Sequence, residues 1–158
     1  MCIRDGLPPV ERHATKAGKP LSVNDLSQVQ GQDEARYALE VAAAGGHHIL
    51  MIGSPGAGKT MLAGCLPGLL PALSEEQAIE TFSLRSIDGT LNPEHGLDTT
   101  PPFEAPHHST TSAAMVGGSK PTSIGVFSRA HRGVLFMDEA PEFHRDVLEA
   151  LRLSLIHI

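Results

Sequence analysis

Eight consecutive residues decide the fold of this chain: Gly53-Ser54-Pro55-Gly56-Ala57-Gly58-Lys59-Thr60. They fit the phosphate-loop pattern G-x-x-x-x-G-K-S/T in full. The glycines let backbone N–H groups turn inward around phosphate oxygens, and the positive end of a following helix adds an anion site. Lys59 would supply a point charge to the β- and γ-phosphates, and the Thr60 hydroxyl is placed to ligate Mg²⁺. The stretch therefore predicts ATP and Mg²⁺ as cofactors.

The segments on either side of this loop have the order that its chemistry requires. Residues 47 to 52 form a short apolar run after a glycine pair at 45 and 46, which is typical of a buried parallel strand. Residues 59 to 66 have a helical pattern, which Pro67 is expected to end. Residues 34 to 42 are rich in helix formers, and the glycine pair is their stop signal.

A second apolar run ends in two carboxylates, Asp138 and Glu139. Residues 134 to 137 predict a buried strand, and α/β sheets bind ligands at the carboxyl edge of such strands. Asp138 would hold Mg²⁺ directly or through water, and Glu139 would orient the water that attacks the γ-phosphorus. Many strands end in acids that only solvate the sheet edge, so this signal is weak alone. Together with a complete phosphate loop, the Asp-Glu pair predicts an ATPase site with Lys59 and Glu139 as catalytic residues.

The rest of the chain gives a coarser pattern. Residues 1 to 23 mix prolines, glycines and charges without an apolar period, and predict a linker or the tail of an upstream domain. A capping box at residues 74 to 77 predicts a short helix, followed by a strand at residues 81 to 87. Residues 88 to 125 are too long and too rich in small polar residues for a plain connection, and predict a loop or hairpin insertion. Residues 145 to 152 return to helical spacing.

Composition limits the class of protein. A chain of 158 residues with 41% hydrophobic content can form one globular domain with a real core. Its formal net charge of -6 predicts no bulk attraction to nucleic acid. The two cysteines share no metal or redox spacing and the N-terminus does not read as a signal peptide, so a cytoplasmic location is expected. Apolar runs are well short of the roughly twenty residues that span a bilayer, so no membrane span is predicted.

One stretch of the sequence, called the basic window below, differs from the acidic composition of the whole chain. Residues 105 to 137 contain no Asp or Glu, and they hold three basic side chains, Lys120, Arg129 and Arg132. Two interpretations stay open: a basic surface that contacts nucleic-acid phosphates, or an insertion of small polar residues that happens to lack acids. His107 and His108 in this window suggest a metal. Adjacent side chains of an extended segment point to opposite sides, however, so a hydrogen-bonding or pore-loop role is favoured.

Further stretches are shared with one known family. Val29-Gln30-Gly31-Gln32 precedes the first helix, and the sequence LEVAAAGG occupies residues 39 to 46. The discriminating stretch is Pro102-Phe103-Glu104-Ala105-Pro106-His107-His108-Ser109, because a generic AAA+ ATPase would share only the nucleotide motifs. On these residues the chain resembles the magnesium-chelatase-like AAA+ ATPases, and within them the competence-associated ComM (YifB) group, over roughly residues 22 to 152.

This resemblance implies an α/β P-loop NTPase fold, with a partial AAA+ core around a parallel sheet in residues 24 to 152. It implies self-association into a ring, expected to be a hexamer, and a pore-facing insertion within residues 88 to 125. ComM-type proteins are similar to DNA branch-migration motors of natural transformation, whereas chelatase motor subunits drive Mg²⁺ insertion into a porphyrin. Three functions stay open: the preferred DNA motor, a chelatase motor subunit, and a fragment that binds nucleotide without turnover.

The resemblance also implies that Val29 and Gly31 lie near the adenine. Motif and resemblance together give one expected set of nucleotide contacts: Val29, Gly31, Ser54, Pro55, Gly56, Ala57, Gly58, Lys59, Thr60 and Met61. The expected magnesium ligands are Thr60 and Asp138.

The sequence departs from the family pattern in three places. Ile124-Gly125-Val126 stands where the family usually has an acid in Pro-Gly-Glu. Residues 153 to 158 replace the family's Arg-Gln-Pro-Leu-Glu, and CTG TCT CTT ATA CAC ATC, the end of a common transposase adapter, encodes them, which predicts a non-native tail. The AAA+ sensor strand, arginine finger and C-terminal lid are expected beyond this chain, which makes it a truncated fragment. The missing sensor strand would lie between the strand predicted at residues 47 to 52 and the strand predicted at residues 134 to 137.

Overall fold

The computed structural model describes residues 24 to 89, 96 to 118 and 124 to 156, with side chains up to residue 153. It is a mixed α/β arrangement of six helices and two short strands within these ranges. The helices are α1 (Asp33–Gly45), α2 (Lys59–Leu69), α3 (Glu75–Ile87), α4 (Ser112–Val116), α5 (Val126–Arg129) and α6 (Arg145–Ile156). The strands are β1 (Phe103–Glu104) and β2 (Val134–Leu135). The linker predicted over residues 1 to 23 lies outside the described residues.

Helix α1 confirms the helix predicted before the glycine pair. It ends at Gly46, whose φ of +62° lies in the left-handed region that glycine adopts without steric cost. Its inner face packs on α2 in a first buried cluster that consists of Leu26, Val29, Leu39, Leu62 and Cys65. Burial raises the pKa of the Cys65 thiol, as expected for a small core residue rather than a reactive one.

Helix α2 does not end at Pro67, and this expectation is wrong. The helix continues to Leu69, and Leu70 closes its last turn by donating to the Leu66 carbonyl oxygen at 3.2 Å. Proline lacks an N–H, so only the bond to the carbonyl four residues earlier is missing. Pro67 is buried, and its apolar ring adds to the core close to the helix end.

Helix α3 replaces the strand predicted over residues 81 to 87. The capping box is confirmed: the Ser74 hydroxyl accepts from the Gln77 backbone N–H, and the Gln77 side chain accepts from the Ser74 N–H. The helix then runs on through the predicted strand, with Ala78 and Thr81 buried on one face at a spacing of three residues. The predicted strand is therefore wrong: the loose alternation of apolar residues after Thr81 belongs to a helix.

Residues 47 to 52, predicted as a buried strand, form no strand in the structure. Their burial still alternates: Ile49 and Met51 pack against the first cluster, whereas Leu50 and Ile52 are 79% and 89% exposed. No strand among the described residues lies beside this segment, so its outer face has nothing to pack against. The sequence pattern indicates burial on both faces of this segment, but the described residues cover only one of the two faces.

The sheet is formed instead by β1 and β2, which run parallel with Phe103 opposite Val134 and Glu104 opposite Leu135. Strand β2 confirms the start of the strand predicted at 134 to 137. Strand β1 was not predicted, because it lies inside the stretch assigned to the insertion. The described residues of that stretch also contain α4 and an antiparallel bridge between Gly117 and Ile124.

A second buried cluster covers this sheet. It consists of Met115, Val126, Phe143 and Val147, with Leu135 and Met137 partly buried against it. Helix α6 contributes Val147, and it confirms the helix predicted at 145 to 152. The helix continues to Ile156, and the non-native origin of residues 153 to 158 stays a prediction. No helix in the described ranges combines the length and apolarity needed to cross a membrane.

The alternating burial of residues 47 to 52 gives a matched test. Replacing both Ile49 and Met51 with Thr should lower the free energy of unfolding by about 2 kcal/mol, because apolar surface leaves the first cluster. Replacing both Leu50 and Ile52 with Thr should change it by less than about 1 kcal/mol and should reduce aggregation of this chain. Urea denaturation and light scattering measure the two effects. Equal destabilisation by both pairs would contradict the exposure of Leu50 and Ile52.

Candidate phosphate-binding site

The loop between residues 53 and 58 has the backbone that its glycines allow. Gly56 and Gly58 have φ values of +79° and +78°, a conformation that L side chains rarely adopt. Ser54, Pro55 and Gly56 are exposed, and Ala57 and Gly58 are half-buried. Helix α2 begins directly after Gly58, so its unpaired N–H groups and positive dipole end face the loop. The predicted loop and the predicted helix start are therefore adjacent, as an anion site needs.

Lys59 lies over the loop that it follows. Its Nζ donates to the carbonyl oxygens of Gly53 and Ser54, each at 3.0 Å. Both acceptors are neutral backbone groups, and together they hold the ammonium group against the loop. An ammonium held by neutral carbonyls keeps its full charge for an anionic ligand.

The two halves of the predicted site meet at Thr60 and Asp138. The Thr60 hydroxyl donates to Asp138 Oδ2 at 2.9 Å, across 78 positions of sequence. Two neighbouring ligands on an octahedral Mg²⁺, with bonds of about 2.1 Å, are themselves about 3 Å apart. Mg²⁺ takes oxygen ligands and keeps several waters or phosphate oxygens, so a hydroxyl and one carboxylate are a chemically suitable protein contribution. The donor set therefore fits the predicted ion.

Asp138 reaches this position because β2 is anchored to β1. Val134 N–H donates to the Pro102 carbonyl and Phe136 N–H to the Glu104 carbonyl, both at 2.8 Å. Gly133 lies so close to Pro102 that a Cβ there would collide with the Pro102 carbonyl oxygen. Only glycine lets the chain enter β2 at this distance.

Glu139 follows Asp138 in a conformation unusual for a residue with a side chain. Its φ is +52° and its ψ +47°, and it begins the 3₁₀ turn Ala140–Glu142. Its backbone N–H donates to Asp138 Oδ1 at 3.0 Å, while the residue is exposed. The left-handed region costs a non-glycine residue roughly 1–2 kcal/mol, and such strain is concentrated at functional sites.

The expected nucleotide contacts outside the phosphate loop differ in their surroundings. The Val29 side chain is only 3% exposed and belongs to the first buried cluster, so any nucleotide contact at this position falls to its backbone. Gly31 has a φ of +70° and open space where a Cβ would lie. Met61, on the first turn of α2, is 46% exposed. Gly31 and Met61 are therefore accessible to a ligand, whereas the Val29 side chain is not.

Sequence reasoning missed Gln32 as a member of this site. Its side-chain Nε2 donates to the Ala57 carbonyl oxygen at 2.8 Å, and it lies at the N-cap of α1. Nothing local indicates this contact, because Gln is not a preferred N-cap residue and the partner is 25 positions away.

Among the described residues of the basic window, carboxylates balance the two arginines. Arg129 pairs with Glu104 at 3.3 Å and with Asp88 at 3.6 Å, and Arg132 pairs with Glu80 at 3.0 Å. Hydrogen bonds from Arg132, and then from His131, lower the pKa of the Glu80 carboxyl. All three carboxylates come from outside the window, and they balance the positive charges of both arginines. Lys120 lies outside the described residues.

The adjacent histidines His107 and His108 do not diverge as expected. The His107 and His108 rings are 4.0 Å apart, because the chain turns here instead of running extended. Ser109 donates its backbone N–H to His107 Nδ1 at 3.2 Å, which gives His107 a local hydrogen-bonding role. In the described ranges, no group of three or more His, Cys, Asp or Glu side chains is arranged to hold a metal ion.

Fold and site together define an α/β protein in which a glycine-rich phosphate loop meets a carboxylate from a parallel sheet. The sequence profile described as magnesium chelatase, subunit ChlI, matches residues 25–157. The chain belongs to this magnesium chelatase family. The predicted family is confirmed.

Curated relatives agree with this assignment. The chain is 52% identical over 145 residues to an uncharacterized protein of Mycobacterium tuberculosis, which covers 91% of this chain. It is 46% identical over 147 residues to YifB of Escherichia coli, covering 89% of this chain. It is 47% identical over 150 residues to the competence protein ComM of Haemophilus influenzae, covering 90%. The chain spans 29% of the length of each of these three relatives.

The contact between Thr60 and Asp138 can be measured directly. A double-mutant cycle with Thr60→Val and Asp138→Ala should give a coupling of about 0.5–1 kcal/mol, because the hydrogen bond is solvent-exposed and weaker than a buried one. Urea denaturation of the four proteins without nucleotide measures it. A parallel cycle with Ser83→Ala in place of Thr60→Val should show no coupling. Additive effects of Thr60→Val and Asp138→Ala would contradict the contact.

Proposed function

We propose that the whole protein is an AAA+ motor that binds and hydrolyses ATP at this site. The observation that carries the proposal is the 2.9 Å hydrogen bond from Thr60 to Asp138, because it joins the two motifs that phosphoryl transfer needs in one place. Family membership supports the same activity at the level of an AAA+-like ATPase.

In this proposal the loop binds the triphosphate chiefly through its backbone. The N–H groups of residues 56 to 60 and the start of α2 donate to phosphate oxygens, and the glycines keep that approach open. Lys59 exchanges its bonds with the Gly53 and Ser54 carbonyls for the β- and γ-phosphates. Thr60 and Asp138 hold Mg²⁺, which neutralises charge on the β- and γ-phosphates when it is bound.

Glu139 is the residue that the proposal assigns to water activation. Its carboxylate is exposed next to Asp138, while its backbone is fixed by the bond to Asp138 Oδ1 and by the 3₁₀ turn. A carboxylate there can orient a water and accept its proton as the bond to the γ-phosphorus forms. The backbone strain at Glu139 is consistent with a functional demand on its direction.

We further propose that the motor assembles as a hexameric ring in the cytoplasm and acts on DNA. The family supports a ring, and the ComM relative carries the name of a competence protein. The exposed side chains of Leu50 and Ile52 support the expected extra strand of the whole protein, which would pair with residues 47 to 52 and bury them. The alternative function, a chelatase motor acting on a porphyrin, is favoured by the name of the matching profile.

The roles of Lys59 and Glu139 predict different kinetic defects in the whole protein. Lys59→Ala should weaken ATP binding at least tenfold, because it removes the charge on the phosphates. Glu139→Gln should bind ATP nearly as wild type and slow turnover by about two to four orders of magnitude. Nucleotide titration and steady-state phosphate release measure both, with Glu142→Gln as the control acid on the same turn. Wild-type affinity and turnover in both variants would overturn the assigned roles.

The DNA proposal predicts which charges of the window matter. Lys120→Gln should reduce the salt dependence of single-stranded DNA binding by the ring, by roughly 0.7 in log–log slope for each DNA phosphate that is no longer neutralised. Arg132→Gln should leave the slope unchanged, because Glu80 already neutralises that guanidinium. Salt titrations of binding to a labelled oligonucleotide provide the measurement. Turnover stimulated by a porphyrin, with no response to DNA, would favour the chelatase alternative instead.

A further inference from the structure

We propose that Gln32 is a positioning residue of the nucleotide site, which holds one peptide of the phosphate loop in its anion-binding orientation. The inference rests on the proposed ATP binding and extends it to a residue outside the loop. Gln32 donates through Nε2 to the Ala57 carbonyl oxygen at 2.8 Å. The same Nε2 would lie 3.3 Å from a Cβ at Gly58, so the amide lies against the Ala57–Gly58 peptide.

The geometry of a trans peptide turns this contact into an effect on the ligand. The C=O and the N–H of one peptide unit point in opposite directions, because the unit is planar and trans. The structure contains no cis peptide in the described residues. A carbonyl of Ala57 that is held toward Gln32 therefore directs the Gly58 N–H to the opposite side. That N–H is one of the donors that a phosphate loop offers to its anion.

Helix formation does not account for Gln32. It lies at the N-cap of α1 with φ +54° and ψ +42°, and its side chain makes no capping hydrogen bond. A glycine would be an adequate N-cap and would avoid the left-handed strain of a side-chain-bearing residue. The side chain instead spans the gap to the loop. Stability of α1 alone would favour glycine here, whereas the loop contact requires glutamine.

The position also links two parts of the candidate site. Gln32 directly follows Gly31, which has open space around it and is expected near the adenine. Val29 anchors this segment in the first cluster together with Leu62 of α2, the helix that follows the loop. A nucleotide that touches residues 29 to 31 and the loop would therefore contact both ends of the Gln32 bridge. Gln32 therefore connects the segment expected near the adenine to the phosphate loop.

The test is Gln32→Gly in the whole protein, compared with the exposed Gln28→Ala as a matched removal of an amide. Gln32→Gly should unfold close to the wild-type temperature without nucleotide, because relief of the left-handed strain offsets the lost hydrogen bond and the greater freedom of glycine in the unfolded chain. Its Kd and KM for ATP should rise about three- to tenfold, with a smaller change in kcat, because a neutral hydrogen bond that orients a donor is removed. Gln28→Ala should match wild type in all three values. Thermal unfolding, titration with a non-hydrolysable ATP analogue and steady-state kinetics measure them.

A second substitution separates hydrogen bonding from shape. Gln32→Met keeps the approximate length of the side chain without a charge and has no N–H donor for the Ala57 carbonyl, so it should weaken ATP binding about as much as Gln32→Gly. Wild-type affinity in both variants would overturn the role of Gln32 while leaving ATP binding intact. If wild type binds no ATP, or if Lys59→Ala binds as well as wild type, the proposed function itself is wrong and this inference is wrong with it.

Discussion

The hydrogen bond between Thr60 and Asp138 is the constraint on which the site depends. It connects two packing units: α1 and α2 around the first buried cluster, and the β1–β2 sheet with α4 to α6 around the second. One exposed hydrogen bond contributes only about 0.5–1.5 kcal/mol, so by itself it stabilises the contact between the two units weakly. A ligand that contacts both units adds its binding free energy to the folded arrangement. The proposed nucleotide and Mg²⁺ would therefore act as the main link between the loop and Asp138.

The parts of the fold that were predictable from sequence are those whose signals are local. The capping box at residues 74 to 77 and the stop at Gly46 each involve neighbours within one turn, and both are confirmed. The wrong or missed predictions concern features that depend on contacts between residues distant in sequence. Strand β1 is two residues long, and its pairing with β2 cannot be read from either segment alone. Pro67 stays in α2 because burial in the core outweighs one missing hydrogen bond, and burial depends on the tertiary structure.

The same distinction explains what sequence reasoning gave for the site. The phosphate loop and the Asp-Glu pair follow from residue identity and spacing, so the meeting of Thr60 and Asp138 could be expected. The charge of residues 105 to 137 could not be judged from the window itself, since the carboxylates that neutralise Arg129 and Arg132 lie before it in the chain. Gln32 was missed for a related reason, because its partner Ala57 is remote in sequence and is contacted through a backbone atom.

Backbone strain marks the same region without reference to any motif. Within the described residues, three non-glycine residues have positive φ: Gln32, Arg132 and Glu139. Gln32 contacts the loop, Arg132 lies in the turn that enters β2, and Glu139 follows Asp138 where the segment leaves β2. Each such residue costs roughly 1–2 kcal/mol, which is a large share of the stability of a small domain. A sequence optimised for stability alone would place glycine or asparagine at these positions. Because Gln32 contacts the loop and the other two border the segment that runs from β2 to Asp138, the strain is consistent with a functional demand on both elements.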